Sequence, residues 1–92
     1  MSNALFPLGR IVGTPGALDA LQEAGQNPMT FLRRHATGDC GDLDADDKAE
    51  NELSVKEGFR ILSTYTTSKG VKLWCITEHD RSYTTILSPS EY

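Results

Sequence analysis

The spacing of apolar positions changes near residue 58 and divides the chain into two unlike halves. From 15 to 57 apolar residues recur at helical intervals; from 59 onward they crowd into short runs rich in β-branched and aromatic residues. Ala17, Leu18, Leu21 and Ala24 share one face of a helix predicted over 15–24, with Thr14 as N-cap, Pro15 at its first position and Gly25 as its stop. The device repeats over 28–37. There Asn27 caps, Pro28 leads, Leu32 and Ala36 are flanked by Met29 and Phe31, and Gly38 ends the helix. Their short connection predicts that these two helices pack as an antiparallel pair. A third helix, 45–57, starts from the cap Asp44 and carries Asp46 and Asp47 where the helix dipole favours acids. It stops at Gly58. Its apolar stripe, Ala45, Ala49 and Leu53, is thin, which predicts an outer helix pressing that narrow seam inward.

The second half reads as strands at 60–67, 71–77 and 83–88, joined by a hairpin turn at Ser68-Lys69-Gly70 and a turn over Glu78–Ser82, with Pro89 ending the last. Val71, Leu73 and Cys75 point to one face while Trp74 and Ile76 point to the other, as in a strand at the centre of a sheet. Arg10-Ile11-Val12 offers a further strand at one edge. The expected fold is therefore α+β: two or three N-terminal helices packed on a C-terminal three-stranded antiparallel meander, four-stranded if 10–12 joins it. Ninety-two residues make this one domain, 1–92.

Composition adds exclusions. With 38% hydrophobic and 24% charged residues the chain is ordinary for a folded domain, not a disordered one. No apolar run approaches the roughly 18 residues of a membrane span, and the first residues lack the basic and apolar regions of a secretory signal. The expectation is a cytoplasmic protein without membrane contact, its two cysteines, Cys40 and Cys75, reduced. The net charge of −4 is uneven: residues 39–57 hold eight acids against Lys48 and Lys56, a balance of −6, and the remainder carries +2. No basic stripe tracks a phosphate backbone, which speaks against general nucleic-acid binding while leaving room for a small basic pocket.

Two polar loops carry the candidate chemistry. The first holds Arg33, Arg34, His35, Asp39 and Asp42; the second is Thr77-Glu78-His79-Asp80-Arg81-Ser82. If the second helix crosses the sheet, His35 approaches Arg81 and the hydroxyls of Thr84 or Thr85. Histidine, arginine and a hydroxyl are the parts of metal-independent phosphodiester cleavage, in which the imidazole moves a proton and the guanidinium stabilises the phosphorane. In a ribonuclease reading, His35, Arg81 and Thr84, with Tyr83 assisting, are the catalytic residues. The plainer alternative closes the hairpin with Asp80 and Arg81 and leaves His35 as a helix C-terminal cation. Zinc would need His35, Cys40, Cys75 and His79, yet Cys75 and His79 lie about 13 Å apart along an extended strand. Asp42, Asp44 and Asp46 begin like a calcium loop, but Asp47 and Leu53 occupy the positions that need Gly and Glu. No metal and no cofactor is expected.

Leu5-Phe6-Pro7-Leu8-Gly9, Thr14-Pro15-Gly16-Ala17-Leu18, Arg34-His35, Gly38-Asp39-x-Gly41-Asp42-Leu43 and Ile76-Thr77-Glu78-x-Asp80-Arg81-Ser82-x-Thr84-Thr85-Ile86-Leu87 resemble an uncharacterised family of short bacterial plasmid-related proteins of mobile elements. The resemblance runs over nearly the whole chain and implies no established activity. Cys40 stands where that family has Trp and His79 where it has Ala, so two of the four zinc-type ligands are private to this chain. The order of helices and meander is also similar to small ribonucleases of the barnase, colicin and RelE type, a likeness of fold alone. The favoured expectation is a non-catalytic accessory protein of mobile genetic elements that binds an unknown protein partner through the acidic helix and the polar set Arg34, His35, Asp39, Asp42, Glu78, Asp80 and Arg81. Self-association stays open.

Overall fold

Cap residues act where the sequence places them. In the computed structural model, which describes residues 4–92, the side chain of Thr14 accepts the N–H of Ala17, that of Asn27 the N–H of Met29 and that of Asp44 the N–H of Asp47. They start α1 (Pro15–Ala24), α2 (Pro28–Ala36) and α3 (Ala45–Glu57). Gly25 and Gly58, at φ of 66° and 79°, end α1 and α3 in the left-handed region. The strands are β1 (Arg10–Gly13), β2 (Ile61–Thr66), β3 (Lys72–Thr77) and β4 (Tyr83–Leu87), followed by a 3-10 turn at Pro89–Glu91. No helix among the described residues is long and apolar enough to cross a membrane.

β2, β3 and β4 form the expected antiparallel meander, with β3 in the interior. The sheet is not a pure meander, however. β1 joins the outer edge of β4 in parallel, giving a four-stranded mixed sheet of order β1-β4-β3-β2. No hairpin links β1 to β4, so no local turn sets their relative direction. It is set by Thr14, whose N–H donates to the Ile86 carbonyl as the chain enters α1, and by α1 itself, which lies on β4.

The inner face of the sheet carries Ile61, Ser63 and Tyr65 of β2, Leu73, Cys75 and Thr77 of β3, and Thr84 and Ile86 of β4, all buried. Against it lie Ala17, Ala20 and Leu21 of α1 and Phe31 and Leu32 of α2, forming one apolar core. The two helices pack on the sheet, α1 on β4 and α2 on β3, more than on each other, which revises the expected antiparallel pair. The buried residues of both helices point to the same surface, so the sheet takes them; Leu18, expected on the packed face of α1, is 46% exposed, and Ala20 is buried instead. The other face, with Leu62, Trp74, Ile76, Thr85 and Leu87, is crossed among the described residues by the C-terminal turn and by no α-helix.

α3 corrects the sequence reading most sharply. Its apolar stripe, Ala45, Ala49 and Leu53, faces solvent, Leu53 being 52% exposed. Its buried side chains are Asn51 and Ser54. The reason lies at the free edge of β2. The Asn51 carboxamide accepts from the Leu62 N–H at 3.1 Å and donates to the Leu62 carbonyl, reproducing with one side chain the two bonds of a neighbouring strand. The loop ahead of α3 continues this closure: Thr64 donates to the Cys40 carbonyl (3.1 Å) and accepts from the Asp42 N–H (2.8 Å). Gly41, at φ 70°, sits so close to the Thr64 carbonyl and the Tyr65 ring that a Cβ there would overlap both.

Replacing Asn51 by Ala leaves both Leu62 groups without partners and is expected to cost about 1–3 kcal/mol in urea unfolding. Asn51→Asp should fare no better, since a carboxylate has no donor for the Leu62 carbonyl. An Asn51→Ala protein as stable as the parent would show that the edge does not need this clamp.

Candidate functional site

Helix α2 turns one polar residue, His35, into the core, where it is 1% exposed. Its Nδ1 lies 2.5 Å from Ser63 Oγ and its Nε2 2.8 Å from Thr77 Oγ1. Thr77 Oγ1 is 2.7 Å from Thr84 Oγ1, which donates to the Leu8 carbonyl at 2.7 Å. A carbonyl can only accept, so this last bond fixes the direction of the relay as far as Nε2. Thr84 gives its proton to Leu8 and accepts from Thr77; Thr77 therefore accepts from Nε2–H. The network thus places a proton on Nε2; burial, which disfavours a charged ring, leaves Nδ1 as the acceptor toward Ser63. One relay ties the N-terminal segment to α2, β2, β3 and β4.

Burial, reinforced by the positive charge of Arg81, pushes the His35 pKa down to about 4. Phe6 packs edge-on against the imidazole, ring centroids 5.2 Å apart, and the Arg81 guanidinium lies 5.6 Å from the Phe6 ring centre. Arg81 is engaged elsewhere. Its Nη1 donates to the carbonyls of Phe59 (2.6 Å) and Glu78 (3.0 Å), and its Nη2 to that of Ser54 (2.9 Å), so it gathers the end of α3 and the β3–β4 turn. Its backbone adopts a φ of 60°, unusual for a side chain of this size. His35 and Arg81 therefore do not line a shared cleft. The imidazole is enclosed with both nitrogens occupied, and the geometry required of the ribonuclease constellation is not met. Thr84, the third member, is buried in the same relay.

The other polar residues singled out by sequence have local partners. Arg34 pairs with Asp39 (2.8 Å) and its guanidinium stacks over Tyr65, 4.7 Å from the ring centre. Asp39 also accepts the Gly41 N–H, and its carbonyl accepts the Tyr65 hydroxyl at 2.5 Å. The guanidinium beside it holds the Asp39 carboxyl below its usual range. Asp42 accepts the Thr66 hydroxyl, Asp80 accepts the N–H and hydroxyl of Ser82, and Glu78 pairs with Arg60 at 3.4 Å. The first loop is thus bound to the β2 edge, while the second closes its own turn and caps α3. Of the zinc-type set, Cys40 and Cys75 are buried free thiols, His35 is in the relay and His79 is exposed on the turn.

The outside of α3 carries its apolar residues in water. Ala45, Ala49 and Leu53 form a solvent-facing stripe bordered by the exposed acids Asp46, Glu50, Glu52 and Glu57. Among the described residues the only ion pairs are Arg34–Asp39 and Arg60–Glu78, so these four acids are unpaired. Phe59, just past the helix, is 55% exposed. The stripe residues were readable as a set, but their direction was not. Ser63 of the relay was missed, although it is a polar residue at an inward position between Ile61 and Tyr65, a pattern that signals a buried hydrogen-bond network, and Thr77 was named only as part of the second loop. No protein family, no curated protein and no solved structure matches the chain.

An imidazole that takes its proton near pH 4 when folded, but near 6.5 when unfolded, lets the unfolded chain bind the extra proton between those values. Stability should therefore fall as the pH drops through that window. Between about pH 7 and about pH 4.5 the wild type is expected to lose about 2–3 kcal/mol more than His35→Gln in urea unfolding. Parallel pH profiles for the two proteins would contradict a buried neutral His35.

Proposed function

We propose that the chain is a non-catalytic binding module that docks a protein partner through the outer face of α3, and that it serves as a cytoplasmic accessory protein of mobile genetic elements. The observation that carries this reading is the direction of the Ala45-Ala49-Leu53 stripe. A helix that spends its polar side on the sheet edge and shows its apolar side to water leaves that side for another molecule. Alanines at i and i+4 permit close approach by a second backbone, and Leu53 supplies an anchor at the next turn. The bordering acids give the partner its chemistry: a shallow apolar groove edged with Lys and Arg. A second copy of this chain is the poorer occupant, because it would set two acidic rims against each other. With its proton relay closed and Arg81 held by carbonyls, the polar set around His35 acts as scaffold for that helix.

Retention of partners from a bacterial lysate tests the reading when wild type is compared with Ala49→Lys/Leu53→Lys and with Lys69→Glu, a control in the distant β2–β3 turn. A basic protein held by wild type and by the control, released by raised salt and lost from the double variant by about tenfold or more, is the expected result. Equal retention by the double variant and wild type would place the contact elsewhere and remove α3 from the proposal.

A further inference from the structure

The helix-free face of the sheet carries a second feature, independent of α3. Trp74 projects from β3 next along the face from the Leu62–Ile76 pair, and Tyr92 stands beside it, edge to face, with ring centroids 5.5 Å apart. Between the two rings and the aliphatic side chains lies a recess of about 290 Å³, with Arg60 as the one charged side chain on its wall. We propose that this recess binds a small organic acid, a carboxylate joined to a compact apolar or aromatic group.

Each part of that chemistry is matched. The floor of Leu62, Trp74 and Ile76 is apolar and takes the body of the ligand, with the indole face available for stacking. The Arg60 side chain is 51% exposed and offers its guanidinium at the rim, where a carboxylate gains a charge-assisted bond without being wholly removed from water. Arg60 is steadied by the Tyr92 hydroxyl at 3.2 Å and by a long contact of 3.4 Å to Glu78, so Glu78 is the ligand's competitor for it. The wall formed by Tyr92 is fixed from behind. Glu91, its neighbour, accepts from the Thr14 hydroxyl (2.5 Å), the Gly16 N–H (3.0 Å) and the Ser88 N–H (3.1 Å), tying the C-terminal turn to the start of α1. The recess is therefore formed before anything enters it, and no ordering of the turn is charged against binding.

Trp74 is the only tryptophan in the chain, so its fluorescence reports the recess directly. Titration with phenylacetate should give a saturable emission change, and phenylacetamide, equal in shape but neutral, should bind about tenfold more weakly. Arg60→Gln should abolish the preference for the acid. Glu78→Gln, which frees the guanidinium, should strengthen phenylacetate binding, a change opposite in sign that loss of folding cannot imitate. The proposal is overturned if phenylacetate gives no saturable change up to about 10 mM. It is equally overturned if acid and amide bind alike to the wild type, or if Glu78→Gln weakens binding as Arg60→Gln does.

Discussion

A sheet edge that is left open presents unpaired N–H and C=O groups, and this fold meets that constraint at β2 with one side chain and the short loop ahead of its helix. The Asn51 carboxamide has a donor and an acceptor on the same planar group, spaced to answer the two groups of Leu62. Meeting that demand requires α3 to turn a polar face toward the sheet. Everything outward follows from it: Ala49 and Leu53 are placed in water, the acids stand beside them, and Ser54 points inward with its carbonyl available to Arg81. The helix is held by hydrogen bonds and by its ends more than by burial of apolar area, an inversion of the usual amphipathic arrangement.

A second polar device sits beneath it. The relay from Ser63 through His35, Thr77 and Thr84 to the Leu8 carbonyl is buried yet complete, so its members carry no desolvation cost that is left unanswered. Its direction is fixed from the carbonyl end as far as Nε2, which carries a proton, and neither ring nitrogen is left without a partner. A histidine held in this way ties its neighbours together. Arg81 complements it by drawing the α3 terminus and the β3–β4 turn together, against a backbone conformation that such a residue seldom takes.

The two faces of the sheet are thus unequal. Helices α1 and α2 complete the inner face, while the outer face keeps Trp74, Leu62 and Ile76 under a single C-terminal turn. With α3 facing outward as well, the molecule presents apolar groups on two separate surfaces, one bordered by the acids around Leu53 and the other by the Arg60–Glu78 pair.

Local chemistry was sufficient for much of this. Thr14-Pro15, Asn27-Pro28, Gly25 and Gly58 determined the helix limits because capping is decided within one turn of chain. The alternation in residues 71–77 determined that β3 is interior, because both its faces are apolar. The direction of β1, the inward side of α3 and the partners of His35 were decided only by tertiary structure. β1 has no turn that joins it to β4, so the Thr14–Ile86 bond and the position of α1 orient it. For α3, periodicity weighs apolar burial and is blind to a distant edge that one Asn can close. For His35, Ser63 and Thr84 lie 28 and 49 positions away, and only the register of three strands brings their hydroxyls into line with one imidazole.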